Sequence, residues 1–338
     1  MKALTIAITI ASVLAITTGI FMSISTNKET TPLRFMSKSP VDDAWITWKM
    51  NNNKAYGTNS EESYRFKIFQ ETYKKVQDFD TKAHSFKVGL NKFADMSFSE
   101  FQNVYLQAKS SKNVKKHKSL KHLQAPASKD WRDTAVSRVK NQGACGSCWA
   151  FSAVGATEGI YAITNGSIKE FSEQQLVDCA GSPLLNRGCS GGMPDYAFSY
   201  VELTGLMSED DYPYTAKEGK CQEDSSKDSY TISDYTDVPA SNEELMAAIS
   251  QQPVSIGLYA DENVKNYMGG VYNNWDCPNS LNHAVLAVGY DSFDWDSYWI
   301  VKNSWGEDWG EEGYIRFARK DSGVGICGLT EHASYPSA

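Results

Sequence analysis

The sequence predicts a two-part α+β protein, and three observations carry that prediction. Segments with helical spacing of apolar residues dominate up to about residue 204, whereas strand-like segments dominate after Tyr230. Charge divides along the chain as well. Residues 1–124 hold 19 Lys and Arg against 10 Asp and Glu, a net of +9; residues 125–338 hold 14 against 31, a net of −17. Near that boundary lies a basic, serine-rich run, KSSKNVKKHKSLKH at 109–122. It has no large apolar anchor and reads as an exposed, easily nicked linker. At 338 residues, 41% hydrophobic and 22% charged, the composition excludes wholesale disorder, a collagen and a multi-span membrane protein. The net charge of −8 gives no support to a nucleic-acid partner.

Taken in order, Lys2 and the almost uncharged run Ala3 to Met22 read as a secretory signal peptide over residues 1–25. The run is long for that purpose, so an uncleaved anchor is the alternative. Residues 26–40 form a polar lead-in. Over 41–80, Ala44, Ile46, Trp48, Tyr64, Ile68, Phe69, Tyr73 and Val76 recur at helical spacing and predict a helical pair. After Ala125 a helix is predicted from the cysteine pair through 149–163, apolar on nearly every side and therefore buried. Asn165-Gly166 ends it, and Asn165-Gly166-Ser167 is an acceptor pattern for N-glycosylation. A second helix, Ser172 to Val177, opens with an S-x-x-Q capping box, and a third spans Pro194 to Thr204. Strands are predicted at 254–259, 284–290, 298–302 and 314–318. The sequence shows no internal repeats.

All seven cysteines lie in the acidic part: Cys145, Cys148, Cys179, Cys189, Cys221, Cys277 and Cys327. An odd count leaves at least one thiol free, and six could form three disulfides in an oxidising compartment. Cys145-x-x-Cys148 alone would suit a zinc half-site or a redox motif. Cys179, Cys189 and His283 do not supply a second ligand pair of matching spacing, however, and no βαβ context surrounds the motif. A nucleophilic cysteine acts as thiolate, although a free thiol titrates at roughly 8.5. Cys148 is placed to begin the buried helix, whose N-terminal partial charge favours the anion, as would a neighbouring imidazolium. The acidic part has only His283 and His332 to supply that base.

The run Gln142-Gly143-Ala144-Cys145-Gly146-Ser147-Cys148-Trp149 is followed by His283 and Asn303, 135 and 155 positions after Cys148. Around them stand LNHAVLAVGY and YWIVKNSWGEDWGEEGYIRFAR, and GCSGG surrounds Cys189. On these four motifs in this order, from about Thr47 onward, the chain resembles the papain family of cysteine proteases and its cathepsin L-like group. The resemblance implies a two-lobe fold, a helical lobe plus a β-barrel-like lobe, preceded by a mainly helical propeptide. It implies Cys148 as nucleophile, His283 as acid and base, Asn303 orienting the imidazole under the cover of Trp305, and Gln142 as an oxyanion donor. Disulfides Cys145–Cys189, Cys179–Cys221 and Cys277–Cys327 come with it.

Substrate contacts carried over are Gly191, Gly192, Met193, Pro194, Gly257, Leu281, Ala284, Trp305 and His332. They are mostly small or apolar and imply an apolar P2 residue. His332, where many relatives have a small residue, would make that preference pH-dependent if it lies on the pocket floor; a His turned to solvent is the alternative. The short stretch between Cys179 and Cys221 has no room for an occluding loop, which implies an endopeptidase. No metal or organic cofactor is implied; the partners are polypeptide substrates and the chain's own propeptide, and the mature form is expected to be a monomer free of the membrane.

In the basic part, Glu61, Arg65, Ile68, Phe69 and Val76 fall on the ERFNIN positions of cathepsin L-like propeptides, with Thr72 and Asp80 where that motif has asparagines. Gly89, Asn91, Phe93 and Asp95 match G-x-N-x-F-x-D in full. The expected organisation is a signal peptide 1–25, an inhibitory propeptide 26–124 and a peptidase domain 125–338. The stretch Asp130 to Gly143 is one residue shorter than the usual family form. Acid-triggered, autocatalytic removal of the propeptide is expected, in a lysosome or vacuole or after export. Two other classes, a silent binding protein and a dedicated protease inhibitor, conflict respectively with the intact motif residues and with the attached peptidase domain.

Overall fold

The structure is a computed structural model that describes residues 39–109, 119–181, 185–293, 296–320 and 323–338. The predicted signal peptide and most of the basic linker lie outside the described residues. The front segment forms α1 (Pro40–Asn51), α2 (Asn59–Asp78), β1 (Phe86–Val88) and α3 (Phe98–Tyr105). Proline at its first position and Asp42 and Asp43 in its first turn suit the start of α1. Thr58 caps α2, its hydroxyl accepting the Glu61 N–H at 3.1 Å. Ser97 and Glu100 close a capping box on α3. The two long helices cross on Trp45, Trp48 and Phe69, with Trp45 and Trp48 stacked 5.4 Å apart.

The remainder of the chain contains β2 (Lys129–Asp130), α4 (Cys148–Asn165), α5 (Glu173–Cys179), α6 (Pro194–Thr204), β3 (Leu206–Met207), β4 (Ser229–Tyr230), β5 (Asp234–Val238), α7 (Asn242–Gln251), β6 (Val254–Leu258), α8 (Glu262–Lys265), β7 (Tyr267–Tyr272), β8 (His283–Phe293), β9 (Asp296–Lys302), β10 (Tyr314–Ala318) and β11 (His332–Ser337). The three helices predicted after Ala125 and the four predicted strands are present. Two expectations need correction. The half read as strand also holds α7 and α8. The sheet runs β1-β7-β10-β9-β8-β6-β11-β5, with β2 on β8, and is open rather than barrel-like. A barrel requires its end strands to pair; here β5 packs against α6 and α7, and β1 covers the opposite edge.

Strand β8 explains where a site can form. Its alternate residues point to opposite faces. Leu286 and Val288 enter the helical core with Trp149, Leu176 and Phe198, while Val285 and Ala287 enter the sheet core with Leu245, Ile256 and Trp299. The strand is thus the seam between two lobes. His283 begins it, and Cys148 begins the helix packed against it. Disulfides Cys145–Cys189 and Cys179–Cys221 staple the helical lobe, and Cys277–Cys327 staples the sheet lobe.

Candidate active site

Cys148 is the free cysteine among the described residues and is fully buried. Cys145 is bonded to Cys189, which takes it out of the C-x-x-C pair. Burial pushes the Cys148 thiol up, against the pull of the Ala284, Gln107, Trp149 and Ala108 amides around it. His283 is buried on the opposite wall. Its Nε2 lies 2.9 Å from Asn303 Oδ1, and Trp305 stacks on the ring at 4.7 Å. Burial pulls the imidazole down to about 4, with the Asn303 contact acting the other way. The Nδ1 of His283 has no hydrogen-bond partner. The structure thus brings Cys148 and His283 to one seam without bonding them to each other, and burial favours the neutral form of each.

Gln142 is also fully buried. Its Nε2 donates to the Cys145 carbonyl at 2.8 Å and to the Tyr105 carbonyl at 3.3 Å, and its Oε1 accepts from the Ser304 hydroxyl at 2.7 Å. Ser304 was not singled out in the sequence, yet it serves both halves of the site. Its backbone N–H also donates to Asn303 Oδ1 at 2.8 Å, fixing which end of that amide faces His283.

The front segment fills the cleft. The Ala108 N–H donates to Asn282 at 3.0 Å, Lys109 N–H to Gly192 at 3.0 Å, and Gly192 N–H to Gln107 at 3.3 Å. Ala108 packs with Cys148, Ala284 and Leu281. Gly191 sits at φ 104°, and a Cβ there would stand 2.2 Å from the Gln107 carbonyl oxygen. Glycine is therefore what lets a main chain lie on this floor. Gly257 pairs across the sheet with Ala284 and with His332, and Leu281 abuts it. Met193 and Pro194 open α6, where the next residue, Asp195, accepts the Ser334 hydroxyl at 2.8 Å. Trp305 is buried behind His283, with Phe93, Phe101 and Tyr105 of the front segment edge-on to it. Asn165 is exposed at the end of α4, its Nδ2 3.0 Å from the Tyr161 carbonyl.

The motif residues of the front segment hold it in place. Asn91 donates to the Lys265 carbonyl at 2.7 Å, and Asp95 accepts from Lys54 and Tyr56, each at 2.9 Å. Arg65 donates to the Asp95 carbonyl at 3.1 Å and to Glu100 at 3.0 Å. Ion pairs Lys75–Glu262 at 2.7 Å and Lys92–Asp308 at 2.6 Å join the basic part to the acidic part, and the Glu244 carboxylate accepts from Ser119 and from the Leu120 N–H, each at 2.6 Å.

Sequence reading also missed a buried charge cluster lying beneath Asn303 and Ser304. Lys140 bridges Glu158 at 2.8 Å and Glu173 at 2.7 Å, and Lys302 bonds Ser137 at 2.8 Å. A small cavity of about 20 Å³ opens among them. Burial pushes Glu173 up to about 8, whereas Lys140 and Lys302 hold Glu158 below the ordinary carboxylate range against its burial.

Comparison with known proteins agrees with this arrangement. Residues 125–337 match the papain family cysteine protease model, and residues 45–101 match the cathepsin propeptide inhibitor domain (I29). The cysteine protease XCP2 of Arabidopsis thaliana is 43% identical over 316 residues, spanning 89% of this chain and 87% of its own. Pro-cathepsin H of Mus musculus is 40% identical over 302 residues, 86% and 89% of the two chains. The solved structure of digestive procathepsin L 3 from the larval midgut of Tenebrio molitor superposes with a TM-score of 0.82 at 39% identity, covering 89% of this chain and all of that one. The chain belongs to the papain family of cysteine proteases and is a proenzyme, carrying its I29 inhibitor domain ahead of the peptidase domain.

Proposed function

We propose that the processed protein is an endopeptidase in which Cys148 attacks the peptide carbonyl. The thiol proton passes to His283 as the Sγ–C bond forms and the carbonyl becomes an oxyanion; the C–N bond then breaks as the imidazolium gives that proton to the leaving amine, and water deprotonated by the same imidazole hydrolyses the thioester and returns Cys148 to the free thiol. Asn303 holds the ring, and Gln142 with the Cys148 N–H stabilises the oxyanion, each such donor being worth roughly 3–4 kcal/mol. The observation that carries this reading is the His283–Asn303 contact beside a cysteine at a helix N-terminus, covered by the backbone of Gln107 and Ala108. The prosegment carbonyl of Tyr105 occupies the Gln142 donor, which accounts for inhibition in the uncut chain.

Boundaries of 1–25 for the leader, 26–124 for the prosegment and 125–338 for the enzyme suit this reading. So do entry to the secretory pathway, a vacuolar, lysosomal or extracellular destination, and a monomeric mature form. Apolar P2 residues fit Leu281, Ala284, Met193 and Pro194, with Gly257 leaving room and His332 on the floor. The test is cleavage of a P2-varied peptide library by the acid-processed full chain at pH 4.5 and 7, read by mass spectrometry, with Cys148→Ala as control. Cleavage of peptides with an apolar P2 residue that the variant lacks supports the reading, and Cys148-independent or absent cleavage in fully processed protein refutes it. The same variant should remain uncut at low pH, because removal of the prosegment is self-catalysed.

A further inference from the structure

Ser147 stands at the cap position of α4, immediately before Cys148, and serine at that position ordinarily turns its oxygen onto the N–H of the second or third helical residue. Here it makes no such bond. Its hydroxyl lies 2.6 Å from the Tyr214 hydroxyl, which donates to the Gln142 carbonyl at 2.8 Å. The single phenolic proton is used on Gln142, so Ser147 is the donor to Tyr214. The Trp149 N–H, second in the helix, is left facing the Cys148 sulfur. Tyr214 is itself fixed, its backbone N–H 2.9 Å from Glu209 and its ring edge-on to Phe151 at 4.9 Å.

We propose that Tyr214 is a positioning residue, which holds the Ser147 hydroxyl away from the helix end so that the Trp149 N–H serves the Cys148 thiolate, and which ties Gln142 to the same loop. This inference rests on Cys148 being the nucleophile. The titratable groups around the loop are His283 on β8, Glu173 on α5 and Glu209; none of them bonds the Ser147 or Tyr214 hydroxyl. Loss of the phenolic oxygen frees Ser147 to compete for the amide.

The test uses acid-processed full chain carrying Tyr214→Phe, Ser147→Ala, or both, and follows iodoacetamide alkylation of Cys148 against pH together with kcat, KM and melting temperature. Tyr214→Phe should raise the acid limb of alkylation by about half to one pH unit, as expected when a thiolate loses a helix-end donor. It should lower kcat below that limb about three- to tenfold with KM little changed. Adding Ser147→Ala should return the limb toward the parent's, because the competing hydroxyl is gone. An unchanged limb in Tyr214→Phe, or a double variant no different from it, overturns the proposal. Where Tyr214→Phe fails to fold, Ser147→Ala alone decides. A limb that stays with the parent's supports the proposal, whereas one raised as far as that expected for Tyr214→Phe overturns it, since the hydroxyl itself would then be sustaining the thiolate. A parent protein that is not alkylated at Cys148 defeats the proposed function as well, which separates the two failures.

Discussion

Asn303 Oδ1 accepts two N–H groups at once, His283 Nε2 at 2.9 Å and the Ser304 backbone at 2.8 Å. With its oxygen pinned by Ser304, the amide can only accept from the ring. The proton is thereby kept on Nε2, and Nδ1 is the nitrogen left for the cysteine.

The first prediction concerns that contact. Asn303→Ala leaves the imidazole free to rotate, and a displaced acid–base group costs about 10²-fold. kcat/KM of the processed enzyme should fall by that order, with the melting temperature nearly unchanged. A loss below threefold would remove Asn303 from the mechanism.

A second prediction follows from the buried His283. Its pKa of about 4 lies below the ordinary value of roughly 6.5. A depressed histidine is protonated more readily wherever the ring meets water, so the closed form loses stability as pH falls through 6.5 toward 4, by up to about 3 kcal/mol. In Cys148→Ala protein, which should not cut itself, tryptophan fluorescence should report opening on acidification. Adding His283→Gln should move the midpoint to lower pH. An unmoved midpoint would remove His283 from the trigger.

Lys140 gives a third. Lys140→Met leaves Glu158 and Glu173 buried without their shared ammonium and should cost about 3–5 kcal/mol. The two carboxyls would then fold protonated while their unfolded counterparts ionise. The folded state binds more protons, and the deficit should be larger at pH 8 than at pH 5 in calorimetry. An equal deficit at both pH values would show that the carboxylates find other partners.

The fourth concerns specificity. Burial, together with Asp237, pushes Asp195 up to about 6, beside Ser334 and within reach of the charge on His332. The charge behind the proposed P2 pocket therefore changes between pH 7 and 4.5, and P2 preference should change with it. Asp195→Asn should flatten that dependence. A profile that still differs between the two pH values would shift attention to His332.

The sequence made much of this legible. Helix α4 is marked by a run that is apolar on nearly every side, and Cys148, His283 and Asn303 by motifs whose spacing is a property of the chain. Strand β7 was missed, and two glycines, Gly269 and Gly270, stand at its centre. Gly270 lies at φ 94°, and a Cβ there would sit 2.4 Å from the Ser85 carbonyl oxygen. That glycine answers Phe86 of β1, 270 − 86 = 184 residues away, which no local pattern reveals. Ser304, Tyr214 and Lys140 were missed for the same reason. Each is an ordinary polar residue until tertiary contacts assign its partners. The two-lobe fold implied by the resemblance is present, but its sheet is not closed, because whether two end strands meet is a long-range property that the motifs do not carry.

Strand β1 adds to the edge of β7, and Phe86, Phe93 and Phe101 complete the sheet-lobe core with Tyr272 and Trp305. The peptidase domain is thus assembled around side chains that belong to its own inhibitor. If the segment is cut away as proposed, those three aromatic rings leave the core with it. What remains would be held by its own share of that core and by the three disulfides. The same segment that closes the cleft over Cys148 would thus take part of the sheet-lobe packing away with it.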